Sequence, residues 1–330
     1  QGKTSVLDAI AWALGGEKFR PSEPAREGSV LAPNIQIRLS NGLLVERTGK
    51  NSSLKVTDPA GRASGQTLLN DFVERLALNL APLPKHKTLG VVNFPSFYKA
   101  MDSAQHIVKL KPAAVELVDR TMIELARANP AFRPVIERAL IGRPEAILLV
   151  EFAGEEREDQ LRDLARLVEL MADLGLPGSV VEMPEPKPQS ELWEVRKAGL
   201  NIMMSMKGDG KPVSFIEDCA VPLEHLADYT QRLTDVFGKH GTRGTWYAHA
   251  SVGTLHVRPI LDMRRDGAEK MRAIAEEASA LVREYKGAFS GEHGDGLVRS
   301  EWVAWQFGPR LTKAFETVKD LFDPENILNP

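Results

Sequence analysis

The sequence contains very little cysteine. Cys219 is the only cysteine among 330 residues. A disulfide within the chain needs two cysteines, so none can form, and a reducing compartment fits this composition. We interpret Cys219 as a small buried hydrophobic side chain rather than as a nucleophile. A chain of this length can form two or three domains with hydrophobic cores of their own.

Long hydrophobic runs and an excess of one charge are also missing. No apolar run approaches the roughly 20 residues that cross a membrane as a helix, and the start of the chain shows no secretory signal. The 42 basic and 45 acidic residues leave a net charge of −3. That balance gives no reason to expect nucleic acid or an anionic membrane as a partner. We therefore predict a cytoplasmic protein without a membrane span, and association with a membrane surface stays open.

What the sequence does contain is a glycine-rich stretch, SGEHGDG, at residues 290–296. It places Glu292 and His293 side by side among glycines, which let a backbone approach a ligand closely. A loop this short rarely needs two titratable side chains for packing. One interpretation is an active-site loop with an acid and a general base. The alternative is a helix cap with a solvated histidine.

A second stretch, WYAHASVGTLHVRP, carries His249 and His256 seven positions apart. A chain reversal at Val252–Gly253 would place these two histidines directly opposite each other on one face of a hairpin, close enough to share a metal ion. Glu292 is a natural third ligand, and two histidines with one carboxylate form a plausible catalytic metal site. Histidines in strands are more often not ligands, so the metal site is a hypothesis at this point.

Two arginines offer the planar fork that binds carboxylates. Arg258 follows His256 by two positions, and Arg196 lies in the helical stretch LWEVRKAG. A surface position or a salt bridge is the simpler alternative for Arg196. His293, next to a candidate ligand, is placed to act as a general base.

The order of elements from about Pro82 onward predicts an α+β fold. Apolar strands such as AILLVEF, residues 146–152, alternate with amphipathic helices such as DQLRDLARLVELMADLG, residues 159–175. We predict an antiparallel or mixed sheet that helices cover on one face. The proline-rich residues 184–189 are interpreted as a surface connection.

Four stretches occur in a fixed order along this part of the chain: LWEVRKAG, YAHASVGTLHVRP, SGEHGDG and FDPENILNP. With them, residues from about 84 to 330 resemble the C-terminal part of FAD-linked oxidases of the vanillyl-alcohol oxidase type. Within that family they are most similar to the D-lactate and D-2-hydroxyglutarate dehydrogenases, especially the large bacterial ones fused to an iron-sulfur domain. This domain would bind the substrate and the metal.

The resemblance implies FAD and a divalent metal ion, which is zinc, manganese or iron, as cofactors. The implied site residues are the metal ligands His249, His256 and Glu292, the base His293, the carboxylate-binding Arg196 and the flavin-contacting Asn329. The implied substrate is a small D-2-hydroxy acid of the lactate or 2-hydroxyglutarate type. Its hydroxyl proton would go to His293, and its α-hydrogen would leave as hydride to FAD. The electron acceptor would be an iron-sulfur protein, a quinone or an electron-transfer flavoprotein.

Two positions depart from the family pattern. Arg258 stands where asparagine is usual, and Ile216 replaces a lysine expected before the stretch DCAVP. We therefore expect the distal end of the substrate pocket to differ. Arg258 is a candidate for an additional contact with an anionic group of the substrate.

The start of the chain has a different pattern. GKTS contains Gly2, Lys3 and Thr4 and matches the back half of a Walker A loop, whose residues bind nucleotide phosphates and Mg²⁺. With SVLDAIAWALGG after it, about residues 1–80 resemble the N-terminal lobe of ATPases of the structural-maintenance-of-chromosomes and phage recombination-repair type. No Walker B pattern follows, so we expect no ATP hydrolysis. The alternative function is a nucleotide-binding fragment of a DNA-repair-type P-loop ATPase.

The two resemblances together predict a mosaic chain. A partial P-loop lobe at residues 1–80 would precede the oxidase domain at residues 84–330, with the junction between Leu76 and Pro84. The flavin-binding domain that normally precedes the oxidase part is not recognisable. We therefore expect the chain to hold FAD poorly by itself. Because it starts at Gln1 without a methionine and stops at Pro330 within a motif, we interpret it as a fragment at both ends.

Overall fold

The computed structural model describes residues 84–328 without a gap. Before them it describes residues 10, 12–14, 34–39, 42–48, 53–58, 60–61 and 63–64. The chain divides into two compact units, Gln1–Leu83 and Pro84–Pro330. The predicted Walker A residues lie outside the described residues, so the P-loop prediction is not tested by the fold.

The first unit contains a four-stranded antiparallel sheet. Its strands follow each other in space in chain order, β1 Asn34–Arg38, β2 Leu44–Thr48, β3 Ser53–Thr57 and β4 Ala63–Ser64. The strands β1 and β2 pair as an antiparallel hairpin. Its small core consists of Ala13, Leu43, Val45 and Val56.

The second unit is built on an eight-stranded sheet in which every strand pair is antiparallel. Its strands are β5 His86–Phe94, β6 Ala114–Asp119, β7 Ala146–Gly154, β8 Val180–Met183, β9 Lys211–Pro212, β10 Cys219–Ala220, β11 Gly244–His249 and β12 Thr254–Leu261. The order in space is β10-β12-β11-β6-β7-β5-β8, and β9 pairs with the far end of β12. The prediction of an α+β fold with an antiparallel sheet is confirmed.

Helices connect these strands. They are α1 Phe97–Ile107, α2 Arg120–Ala128, α3 Arg133–Arg138, α4 Arg157–Asp173, α5 Pro186–Lys197, α6 Gly199–Met204, α7 Leu226–Lys239, α8 Gly267–Glu284, α9 Gly296–Arg299 and α10 Val303–Phe322. Ser96 and Asp119 begin α1 and α2 as side-chain caps, because each accepts a backbone N–H three residues ahead. Short side-chain caps of this kind fix where a helix starts after a strand.

The prediction that helices cover only one face of the sheet is wrong. Leu148 and Val150 lie in one hydrophobic core, and Ile147 and Leu149 on the same strand lie in a second core on the opposite face. Successive residues of a strand point to opposite faces, so a continuous apolar run such as AILLVEF is buried on both. The second core is formed with α2, α3, α5 and α6.

One local prediction also needs correction. The proline-rich link at residues 184–189 ends inside α5, which begins at Pro186, because proline is tolerated in the first turn of a helix. The helices α5 and α6 follow each other directly, with Ala198 between them. Residues 212–222 contribute only the end of β9 and the short β10 to the sheet.

The C-terminal helix α10 has no buried residue. It bends at Gly308, which precedes Pro309. Its exposed apolar side chains are Trp305, Phe307, Leu311, Phe315, Val318, Leu321 and Phe322. Across the part of the chain that the structure describes, no helix combines the length and apolar character needed to cross a membrane.

Candidate metal and substrate site

The hairpin of β11 and β12 carries the two candidate metal-binding histidines. The structure pairs His249 with Thr254 and His256 with Tyr247. The predicted register, with the two histidines directly opposite each other, is therefore wrong by two residues. A shift of two keeps each side chain on its face, so the two imidazoles still share one face, and their ring centroids are 5.0 Å apart.

The longer turn explains the shifted register. Residues Ala250–Val252 form a 3-10 turn, and Gly253 closes it with φ of +70°. A Cβ at Gly253 would lie 2.1 Å from the carbonyl oxygen of Val221. Only glycine fits there, because it combines a positive φ with a close backbone contact. Four residues thus form the turn where two were predicted.

The alternation of β11 and β12 separates two faces. We call the first the core face, and it consists of Trp246, Ala248, Leu255 and Val257, which lie in the larger hydrophobic core. We call the second the site face, and it consists of Tyr247, His249, His256 and Arg258. Cross-strand partners point to the same side of a sheet, so Glu116, which pairs with His249, also belongs to the site face.

Three imidazoles converge on one carboxylate oxygen at the site face. The Oε1 atom of Glu292 lies 2.9 Å from Nε2 of His256, 3.2 Å from Nε2 of His293 and 3.5 Å from Nε2 of His249. Glu292 and His293 reach this position from the loop SGEHGDG. The structure therefore brings together the four residues that the sequence pointed to as ligands and base.

The electrostatic environment keeps His256 neutral. Its side chain is 2% exposed, and burial, followed by the neighbouring His249 and His293, lowers its pKa to about 3. A neutral imidazole is the form that binds metal ions. Its ring is stacked at 5.1 Å on that of His293 and lies 4.8 Å from that of Tyr247. Among the described residues its Nδ1 atom has no hydrogen-bond partner, so aromatic packing holds the ring.

His249 is held by a hydrogen bond to a carboxylate. Its Nδ1 atom lies 2.6 Å from Oε1 of Glu116. This hydrogen bond, and the charge of Glu116, raise the pKa of His249 against the opposing effect of burial. A proton on Nδ1 directed at Glu116 leaves Nε2 as the free nitrogen on the side of Glu292. Such a carboxylate partner commonly orients a metal-binding histidine.

Glu116 also binds the first candidate arginine. Its Oε2 atom accepts a hydrogen bond of 2.7 Å from Nη2 of Arg196, and the guanidinium lies 4.9 Å from the centre of the Tyr247 ring. Arg196 is largely buried, so it is not a surface residue, and it forms a salt bridge with Glu116. A single carboxylate thus connects His249 with Arg196 and fixes their separation.

The second candidate arginine is paired as well. Nη2 of Arg258 lies 2.6 Å from Oε2 of Glu217 and 3.4 Å from the hydroxyl of Tyr247. Glu217 also faces the loop, with its Oε1 atom 3.7 Å from Nδ1 of His293. Arg258 and Glu217 are both mostly buried. Their opposite charges form an ion pair without net charge in the wall of the site.

The donor set fits a divalent cation. Ligands of a tetrahedral ion bound at 2.0–2.1 Å lie roughly 3.3 Å from one another, and the distances of 2.9 and 3.5 Å from Oε1 of Glu292 to Nε2 of His256 and of His249 bracket that spacing. Asp218, His256, Glu292 and His293 each offer one atom, and these atoms lie within 4.8 Å of one another. His249 is not in that group, although its Nε2 approaches Glu292.

Sequence reasoning missed several residues of this site: Glu116, Glu217, Asp218, Tyr247 and Arg299. A signal was present for one of them, because an acid in the middle of the apolar strand AVELVD is unusual. Glu217 and Asp218 are distant in sequence from the loop that they contact, whereas Tyr247 lies within the histidine motif and Arg299 follows SGEHGDG by three residues, and neither carries a signal of its own. Their role becomes visible only when the strands are assembled.

Comparison with known proteins assigns the family. The family described as "FAD linked oxidases, C-terminal domain" matches residues 83–330. This chain belongs to the FAD-linked oxidase family. The resemblance read from the four motifs is confirmed, and with it membership in a family of FAD-dependent enzymes.

Two relatives of this oxidase domain are D-2-hydroxyglutarate dehydrogenases. The chain is 31% identical to the D-2-hydroxyglutarate dehydrogenase of Pseudomonas putida, with 100% of this chain and 36% of the relative aligned. It is 35% identical to that of Escherichia coli, with 78% of this chain and 26% of the relative aligned. The chain thus spans about a quarter to a third of the length of these relatives.

A solved structure supports the fold. The crystal structure of p-cresol methylhydroxylase superposes with a TM-score of 0.57 at 15% identity, over 76% of this chain and 53% of that protein. At this identity the likeness concerns the fold alone. None of the matches supports the predicted P-loop lobe or the mosaic interpretation, and Gly2, Lys3 and Thr4 lie outside the described residues.

Membership of the family implies FAD. Asn329, the predicted flavin contact, lies outside the described residues. A cleft of about 640 Å³ opens beside the histidine cluster, and Glu116 lines it. Trp193 lines the same cleft, with Lys87 and Lys197 at its wall. Its volume is within the range of small-molecule sites, so the cleft has room for a small-molecule ligand.

Proposed function

We propose that this chain is the substrate- and metal-binding part of an FAD-dependent enzyme that oxidises a D-2-hydroxy acid. The observation that carries the proposal is the convergence of three imidazole nitrogens on Glu292, with Arg196 held beside them by Glu116. A cation site next to a guanidinium suits a ligand that has a hydroxyl and a carboxylate on adjacent carbons. The names of the relatives support the 2-hydroxyglutarate type, and the lactate type stays in the test.

His249, His256 and Glu292 would hold the divalent cation, which would be zinc, manganese or iron. When bound, such an ion lowers the pKa of a hydroxyl that coordinates it, and FAD provides the acceptor for a hydride. His256 is well suited to ligation because burial keeps it neutral. Glu116 would keep Nε2 of His249 directed at the cation.

His293 would accept the proton of the substrate hydroxyl. It is about half exposed, so a substrate and then solvent can reach it. Its two ring nitrogens face Glu292 and Glu217 at 3.2 and 3.7 Å. Carboxylates thus lie on both sides of the ring that would take the proton.

Arg196 would bind the substrate carboxylate. Its Nη2 atom donates to Glu116, and its Nε atom is buried without a hydrogen-bond partner among the described residues. Arg258 would contact a second anionic group, as in a dicarboxylic substrate. That contact requires Arg258 to share or give up its bond to Glu217.

Metal titration of the purified chain tests the proposal. We expect Zn²⁺, Mn²⁺ or Fe²⁺ to bind with a stoichiometry of about one per chain, measured by calorimetry and by elemental analysis after dialysis. His249→Ala should weaken binding by about tenfold or more, since one of the ligands is lost. His240→Ala is the matched control, because His240 bonds Glu277 elsewhere in the domain. Equal affinity in the two variants would refute the assigned ligands.

Substrate binding provides the second part of the test. D-2-hydroxyglutarate and D-lactate should bind the metal-loaded chain and should bind it far more weakly after removal of the metal by a chelator. Calorimetry measures both without any need for turnover. Binding that is independent of the metal would contradict the proposed arrangement.

A further inference from the structure

Two buried charged side chains bind the backbone of the loop SGEHGDG. Asp218 is fully buried, and Arg299 is 6% exposed. Nη2 of Arg299 lies 3.8 Å from Oδ2 of Asp218, so the two form an ion pair. We call Asp218 and Arg299 together the loop clamp. Buried charges are costly unless they are paired and hydrogen-bonded, so this pair needs further partners, and the loop supplies them.

Asp218 binds the N–H groups of the loop. Its Oδ1 accepts the backbone N–H of Glu292 at 2.9 Å, and its Oδ2 accepts that of His293 at 2.8 Å. The hydroxyl of Ser290 donates to Oδ2 at 2.7 Å. The backbone takes part as well, because the N–H of Gly291 donates to the carbonyl oxygen of Asp218 at 2.7 Å.

Arg299 binds the carbonyl groups on either side. Its Nη2 donates to the carbonyl oxygen of Gly294 at 2.6 Å, and its Nη1 donates to that of Glu217. The N–H groups of the loop thus donate to the carboxylate of Asp218, and the carbonyl oxygen of Gly294 accepts from the guanidinium of Arg299. A loop built largely of glycine has many conformations to lose, and these bonds select one.

The clamp also connects the loop to the histidine strand. The backbone N–H of Asp218 donates to the carbonyl oxygen of Leu255 at 2.6 Å, directly before His256. A Cβ at Gly291 would lie 3.2 Å from the carbonyl oxygen of Asp218, so the loop rests closely on this segment. Asp218 itself has φ of +79°, a strained conformation that a non-glycine residue adopts when its surroundings require it.

We infer that Asp218 and Arg299 are positioning residues, which set Glu292 and His293 at the distance from His256 that metal binding and proton transfer need. This inference rests on the proposed function. Asp218 belongs to the group whose atoms lie close enough to hold a metal ion. Its two carboxylate oxygens already accept three hydrogen bonds from the loop, so it supports the ligands and is not one of them.

Hydrogen exchange of the loop amides tests the clamp directly. In Asp218→Asn we expect the amides of Glu292 and His293 to exchange about tenfold faster or more, because each loses a hydrogen bond to a charged acceptor. Asp119→Asn is the matched control, since Asp119 is a buried carboxylate that accepts two backbone N–H groups away from the loop. Unchanged exchange in Asp218→Asn would overturn the inference.

Zn²⁺ titration of the same variants tests the positioning role. Asp218→Asn should bind Zn²⁺ about 10- to 100-fold more weakly than the unmodified chain, as is typical when a residue behind a ligand is changed, and Asp119→Asn should bind it equally well. Faster exchange with unchanged Zn²⁺ affinity would overturn the positioning role. Faster exchange in a protein whose unmodified form binds no Zn²⁺ would instead refute the proposed function and leave the loop clamp standing.

Arg299→Lys is the second variant, for the case that Asp218→Asn does not fold. Lysine keeps the positive charge but cannot donate to two carbonyl groups from a planar fork. We expect faster exchange across residues 291–296 and Zn²⁺ affinity about tenfold weaker, with the circular dichroism spectrum unchanged. Exchange and affinity equal to those of the unmodified chain would overturn the clamp.

Discussion

The two faces of the β11–β12 hairpin have the same backbone and opposite chemistry. Leu255 and Val257 on the core face are fully buried among apolar side chains. His256 lies between them in sequence, is almost as buried, and faces a cluster of imidazoles and carboxylates. Burial therefore does not distinguish structural from functional residues here. The partners do, since every ionisable group of the site face has a carboxylate, a guanidinium or an aromatic ring next to it.

The largest difference between the two faces is expected when His256 and its neighbour Leu255 are each replaced by alanine. His256→Ala should weaken Zn²⁺ binding by about 100-fold or more, because it removes a buried neutral ligand. Leu255→Ala should leave that affinity unchanged and lower the free energy of unfolding by about 2–5 kcal/mol, because it opens a cavity in the larger core. Calorimetric titration and urea unfolding measure the two effects. Loss of Zn²⁺ affinity in the folded Leu255→Ala variant would break the comparison.

A smaller effect on Zn²⁺ binding is expected at Glu116, which is compared here with Glu151, an acid on the same face of the sheet. Glu116 bonds His249 and Arg196, whereas Glu151 on the adjacent strand bonds Lys87 and the indole of Trp193. Glu116→Gln should weaken Zn²⁺ binding about tenfold, because the charge behind His249 is lost. Glu151→Gln should not change it. Equal effects would show that the charge of the face, rather than contact with His249, is what matters.

The two arginines should differ in which substrates they affect. Arg196→Lys should weaken binding of D-lactate and D-2-hydroxyglutarate alike, about tenfold, because both carry the carboxylate next to the hydroxyl. Arg258→Lys should weaken binding of D-2-hydroxyglutarate only, because the second carboxylate is its expected partner. Calorimetry with the metal-loaded chain gives both numbers. An equal loss for the two ligands in Arg258→Lys would show that the Glu217 pair is structural.

The smallest effect on the site is expected at Asp119, whose influence is on stability. Burial raises the pKa of Asp119 to about 6, above its ordinary 3.8. The folded protein therefore holds a proton that the unfolded chain releases, and this contribution to stability is lost as pH rises from about 4 to about 6. It amounts to about 3 kcal/mol for a shift of this size. Urea unfolding of the unmodified chain and of Asp119→Asn should differ by this pH-dependent amount, with Zn²⁺ affinity unchanged at neutral pH.

The sequence predicted the parts of the site that local rules control. Side chains alternate between the two faces of a strand. His249 and His256 therefore stay on the same face when the register of the hairpin shifts by an even number of residues, as it does here. The glycines of SGEHGDG indicate a loop whose backbone approaches a ligand or another segment of the protein closely. The order of four motifs was enough to recognise the family that the comparison confirmed.

The register itself was not predictable from those rules. A two-residue reversal at Val252–Gly253 and the observed four-residue turn both satisfy the alternation of the strands. The contact between Gly253 and the carbonyl oxygen of Val221 decides between them, and Val221 belongs to a different segment. The second helical layer was missed for a similar reason, since a continuous apolar strand indicates burial without saying what buries it.

By itself the sequence determined an α+β domain of the FAD-linked oxidase family, with two histidines, a glutamate and a further histidine as its chemical groups. Tertiary structure alone decided what holds them. Glu116 reaches His249 from a strand that lies more than a hundred residues earlier in the chain. Asp218 anchors a loop that begins about seventy residues after Asp218 itself. Such partners have no local signal, because the hydrogen bonds that select them form only after the strands of the sheet have packed side by side.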